Sequence, residues 1–173
     1  YSGEKKITAL KTAVNGFINN AAKQSQDSKI ALVKFAGDKK NDKVGNDTYR
    51  KGRYTYNYTQ IVKSLTSASK SEELTGAVNK LEAGGATSAD YGMEHAQTII
   101  KGAATDGKKK VVIMFTDGEP NHEIGFDDTV ATNTISASKK MKDADATVYT
   151  IGVFSGANGT PVNSWNGVSD TNK

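Results

Sequence analysis

The chain has 173 residues, no cysteine, 36% apolar and 24% charged residues, and a formal net charge of +4. That length buries the core of one ordinary domain, and the lack of cysteine excludes disulfides, thiol chemistry and cysteine-bound metals. The 23 basic residues are mostly lysines scattered beside 19 acids, a solvated surface rather than a nucleic-acid footprint, and no window approaches the roughly 18 apolar residues of a membrane span.

Residues 4–22, EKKITALKTAVNGFINNAA, set Ile7, Leu10, Val14, Phe17, Ile18 and Ala21 at helical spacing, which predicts an amphipathic helix. KIALVKF, Lys29 to Phe35, reads as a strand. The polar stretch that follows lacks a helical period. Residues 37–60 therefore read as a surface insertion or edge hairpin, with Tyr54, Tyr56 and Tyr58 alternating along one face. A tyrosine-covered surface is the plain reading of that face, and an aromatic ligand platform the sharper one. QIVKSLT fits a strand or a short helix and is read as a strand. Residues 71–82 predict a helix with Ser71 as N-cap and Leu74, Val78 and Leu81 inward. In AGGATSADYGMEHA the double glycine ends that helix, and the next begins near Ser88.

Val111 to Phe115 form an apolar run rich in β-branched residues, read as a strand buried on both faces. A helix over 128–143, a strand over 146–154 and a loop-rich tail over 155–173 complete the order. Helices and buried strands alternate, which predicts a single α/β domain with a doubly wound, mainly parallel sheet flanked by helices. Ligands of such sheets bind outside the carboxyl ends of the strands. Asp117 stands there, two residues past the apolar run, with Glu119 close behind. Thr87 and Ser88 open a second loop of that kind. Each has a plainer explanation: Asp-Gly is a common turn pair, Ser88 suits a helix cap, and Glu119 suits a solvated turn.

A hydrolase would need Ser88, His95 and Asp117 to converge. The chain has no G-x-S-x-G elbow and no G-x-x-x-x-G-K-[ST] phosphate loop, and His95 follows Ser88 on one helix, where it packs inward or caps. The expectation is a binding protein and not an enzyme.

KKVVIMFTDGEP, preceded by AGGATSADYGMEHA and followed by ATVYTIGVF, resembles the von Willebrand factor A domain family over roughly residues 4–154, with the opening helix and strand in the family's order. Segment 37–60 and the wording VVIMFTDGEPNHE look most similar to the A domains of Gram-positive pilus tip adhesins. The resemblance implies a Rossmann-like fold and a metal-ion-dependent adhesion site for Mg²⁺ or Mn²⁺, with Thr87 and Asp117 as metal ligands and Ser88 and Glu119 beside the bound partner. Hard oxygen donors suit such an ion, and a partner's carboxylate fills its open position. The implied partners are a host matrix or cell-surface protein, other pilus subunits or the rest of a larger adhesin, at the wall or pilus of a Gram-positive bacterium.

One family motif is absent from this sequence: no D-x-S-x-S run occurs. The family places it after a central strand that precedes the first helix, and here that helix begins within a few residues of Tyr1. The fold is therefore expected to lack its first central strand and its last helix within this chain. Mg²⁺ binding is expected only where the missing loop is supplied, from upstream residues, another chain or a larger parent protein. The competing functions are a pilus or wall scaffold with a vestigial metal site, and a subunit of an intracellular metal-chelatase-type complex.

Overall fold

The computed structural model describes residues 2–104, 106–116, 119–123 and 125–152. Asp117, the end of the last expected strand and the 155–173 tail, where the last helix was expected to be missing, lie outside the described residues. The chain forms two compact units, Tyr1–Gly85 and Ala86–Lys173.

The first unit opens with α1 (Ser2–Gln24), followed by β1 (Lys29–Lys34), β2 (Thr48–Lys51), β3 (Tyr54–Asn57), β4 (Gln60–Ser67) and α2 (Ser71–Asn79). Its core is the apolar stripe of α1 laid against α2 and one face of β1: Ile18, Leu74 and Val78 are buried, with Val14, Ile30 and Leu32 packed around them. Asn79 ties the helices together, its carbonyl accepting from Lys11 Nζ (2.9 Å) and its Oδ1 from Asn15 Nδ2 (2.8 Å).

Two local expectations change here. The helix ends at Asn79 rather than at residue 82, well before the double glycine. Ser71 is not the N-cap, because a 3₁₀ turn over Ala68–Lys70 precedes α2. Ser67 caps that turn instead, its side chain accepting from Ser69 N.

QIVKSLT is a strand, β4, and it pairs antiparallel with β1 from Lys29↔Ser67 to Lys34↔Gln60. The connection between them is a hairpin rather than a crossover helix, which makes antiparallel pairing the natural outcome. The insertion forms that hairpin, with Tyr49↔Tyr56 and Lys51↔Tyr54 facing across β2 and β3. Gly52 stands first in the two-residue turn with a φ of 63°, where a side chain would be strained.

The second unit holds α3 (Ala89–Gly102), β5 (Lys110–Thr116), α4 (Asp128–Asp143) and β6 (Ala146–Gly152). β5 and β6 pair in parallel from Lys110↔Ala146 to Thr116↔Gly152, and α4 supplies the crossover that parallel strands require. Met93, Ala137, Met141 and Ala146 form the core, with Ala96, Ile100, Val112, Met114 and Val148 against it.

The α/β class holds, with one adjustment: among the described strands only β5 and β6 are parallel. β1 and β5 each have a single hydrogen-bonded neighbour among the described residues. The apolar run of β5 is also not buried on both faces. Its odd-numbered side turns from the helices, leaving Val111 48% exposed and, on β6, Tyr149 56% and Ile151 45% exposed.

Candidate functional site

Thr87 stands just before α3, and Asn121 stands in the loop after β5. They bridge backbone to backbone, each N–H donating to the other's carbonyl at 3.1 Å. Asn121 Oδ1 also lies 3.3 Å from Thr87 N, and Asn121 Nδ2 donates to Glu119 O at 2.8 Å. The far end of the loop is tied back as well. Asp127 N donates to Pro120 O (2.8 Å), and Asp127 Oδ1 caps α4 by accepting from Thr129 N (2.9 Å) and Val130 N (3.3 Å). These bonds bring two loops, 34 residues apart in sequence, into one assembly.

Ser88 occupies the N-cap position of α3, yet its side chain makes no cap bond. Its hydroxyl faces His122 Nδ1 at 3.0 Å instead. The other ring nitrogen, Nε2, lies 3.2 Å from Asp90 Oδ2, and Asp90 Oδ1 accepts from Tyr91 N at 2.9 Å. The Tyr91 ring closes over the imidazole, with centroids 4.5 Å apart. Ser88 is fully buried and Asp90 nearly so, while the His122 side chain keeps 34% of its surface. The imidazole thus satisfies two buried polar groups that would be costly alone.

The imidazole that meets Ser88 therefore belongs to His122, not to His95. His95 is buried on α3, in line with the inward-packing expectation. A serine, an imidazole and a carboxylate in a row have the connectivity of a hydrolytic relay. Here the hydroxyl has no exposed surface to offer a substrate, so the row acts as a clamp between two loops.

Of the four residues singled out by sequence, Thr87 is half-buried in the bridged loop, Ser88 is buried in the clamp and Glu119 is exposed. Asp117 lies outside the described residues. The clamp itself, Asp90, Asn121 and His122, was not anticipated. The available signal was local: Asp90 two residues after Ser88, and Asn-His close behind the Asp-Gly pair in the sequence.

The described donors do not by themselves fit a divalent cation. The Ser88 hydroxyl is engaged by the imidazole, and Thr87 offers one neutral oxygen, where Mg²⁺ requires near-octahedral oxygen ligation. No group of three His, Cys, Asp or Glu side chains converges among the described residues.

The first unit has its own polar assembly. Lys34 Nζ donates to Asn46 Oδ1 (2.6 Å) and Asp47 O (2.9 Å). Burial pushes its ammonium down, against the opposing pull of Asp47. Asp47 pairs with Lys40 at 2.9 Å and accepts from Gln60 Nε2 at 2.9 Å. Those hydrogen bonds, Lys40's first, hold its carboxyl below the usual range.

The model of the von Willebrand factor type A domain matches residues 2–171. No curated protein matches the chain.

Proposed function

The chain belongs to the von Willebrand factor type A domain family, and we propose from that premise that it is an adhesion module that binds a protein partner without catalysis. Adhesion and protein–protein interaction are common roles of this family. The observation that carries the reading is the bridge of Thr87 to Asn121, which joins the loop before α3 to the loop after β5, so that a partner would meet both together. The buried Ser88 hydroxyl supports the non-catalytic reading.

The finer reading is a metal-ion-dependent adhesion site on the surface of a Gram-positive bacterium. Thr87 and Asp117 would hold Mg²⁺ or Mn²⁺, together with carboxylate and hydroxyl ligands of a D-x-S-x-S loop that this sequence lacks, and Ser88 and Glu119 would border the site. The ion would supply an open coordination position for an acidic side chain of a host matrix or cell-surface protein. Other pilus subunits, or the rest of a larger adhesin, would complete the assembly at the wall or pilus. A specific observation favours a second reading, a scaffold with a vestigial metal site: the Ser88 hydroxyl beside Thr87 is already engaged by His122.

Adhesion to immobilised matrix proteins separates the two. Bacteria displaying the parent protein are compared with and without EDTA, and with Asp117→Ala. The metal-bridged reading expects both treatments to abolish adhesion, and undiminished adhesion in Asp117→Ala would overturn it. Calorimetry of the 173-residue chain with MgCl₂ is expected to show no tight binding; tight binding would show the site to be complete without a D-x-S-x-S loop.

A further inference from the structure

The hairpin of the first unit has two edges, and they differ. Tyr58 N donates to Asp47 O at 3.2 Å, which makes Thr48↔Asn57 a widely spaced pair, and two residues on the same holds for Arg50↔Thr55. In such pairs the N–H and C=O groups point away from the partner strand. On the β3 side that outward edge is engaged, with Asn57 O accepting from Gly37 N at 3.0 Å. On the β2 side the outward groups of Thr48 and Arg50 face no further strand among the described residues, and both residues are exposed.

The open edge is held rigid. The Tyr49 ring stacks on Tyr56 (5.7 Å) and packs tilted against Tyr58 (4.5 Å), and its hydroxyl accepts from Asp38 N at 3.0 Å. Asn57 Nδ2 anchors the base of the hairpin to Gly84 O at 2.9 Å and Glu82 O at 3.2 Å. The edge is also basic. Between Asp38 and Arg53 the sequence has six lysines and arginines against three aspartates, and Arg50, Lys51 and Arg53 on the hairpin are all exposed.

We infer that the outer edge of β2 is a second binding surface, which captures an extended acidic segment of a protein partner by strand addition. Main-chain bonds to Thr48 and Arg50 would supply affinity, and Arg50, Lys51 and Arg53 would select acidic side chains. Charge also selects against a second copy of this chain, because pairing β2 with β2 would bring Arg50 and Lys51 against their own counterparts. The inference goes beyond the metal-dependent reading, since neither Thr87 nor Asp117 takes part.

The test uses the full chain and a fluorescein-labelled peptide alternating glutamate and valine, followed by anisotropy. A copy of the peptide N-methylated on alternate residues keeps the charge and loses the strand edge. The unmodified peptide is expected to bind, and methylation to weaken it roughly tenfold or more, the worth of one or two main-chain bonds. Thr48→Pro, which removes an outward N–H and leaves Arg50, Lys51 and Arg53 in place, is expected to do the same, and Arg50→Glu with Lys51→Glu to abolish binding. Equal binding of both peptides, or no binding of the unmodified one, overturns the proposal. So does binding of dextran sulfate when neither peptide binds, because that describes a polyanion patch without strand pairing.

Discussion

The two units solve the same packing problem with opposite chemistry. Each covers one face of a two-stranded sheet with a pair of helices: α1 and α2 over β1 and β4, α3 and α4 over β5 and β6. Tyr1–Gly85 has 15 lysines and arginines against 8 acids, net +7, while Ala86–Lys173 has 8 against 11, net −3, which together give the chain's +4. In the first unit the buried polar groups build a scaffold for an insertion; in the second they clamp two loops. The apolar layers explain why each unit is compact, and the polar assemblies explain what each unit presents.

That contrast can be broken at the cores first. Leu74→Ala is expected to cost about 3 kcal/mol, and Met141→Ala a similar amount, because both side chains are essentially fully buried. Hydrogen exchange after each substitution shows whether protection falls in one unit or in both. Loss confined to the mutated unit would sharpen the division at Gly85; equal loss throughout would show a single cooperative body.

The polar assemblies come next. Thr59 is fully buried, its hydroxyl donating to Gly37 O and accepting from Ala36 N, each at 2.9 Å. Thr59→Val strands both backbone groups and is expected to cost about 2 kcal/mol, read by chemical denaturation. His122→Ala leaves Ser88 Oγ and Asp90 Oδ2 without the imidazole, at an expected cost of about 1–2 kcal/mol given the ring's partial exposure. Its distinguishing readout is faster amide exchange at Thr87 and Asn121, the bridged pair. Unchanged exchange there would show that the backbone bridge holds the loops without the clamp.

The smallest effect is electrostatic. The Lys40 and Gln60 contacts hold the Asp47 carboxyl below the ordinary range, so their contribution is present above the unfolded carboxylate pKa of about 3.9. It is lost as pH falls through the lower folded value. Asp47→Asn is expected to flatten the acid limb of stability by lowering the neutral plateau slightly while leaving stability at low pH unchanged, measured by denaturation from neutral to acid pH. An unchanged acid limb would place that pH dependence on other carboxylates.

Much of the fold was legible because the signals are local. Helical spacing of Ile7 through Ala21 and the apolar run from Val111 to Phe115 mark elements wherever they sit, and the crossover helix between β5 and β6 makes their pairing parallel. The hairpin followed from the tyrosine alternation, although Tyr49, whose ring packs against both Tyr56 and Tyr58, left no periodic trace. The candidate site was legible only in part. Thr87 was singled out by its place before a helix and Asp117 by its place after a strand; Asp117 lies outside the described residues, and the Thr87 loop does meet the loop after β5.

By itself, then, the sequence determined which segments are helix and strand, their order and the family. Hydrophobic period and turn chemistry act over a few residues, so one dimension is enough to read them. Only the tertiary structure decided that Ser88 gives its hydroxyl to His122 rather than to its helix, that β1 and β4 run antiparallel, and that one edge of the hairpin stays open. A hydroxyl or a strand edge bonds whatever group the packed chain brings within about 3 Å, and that group lies tens of residues away along the sequence.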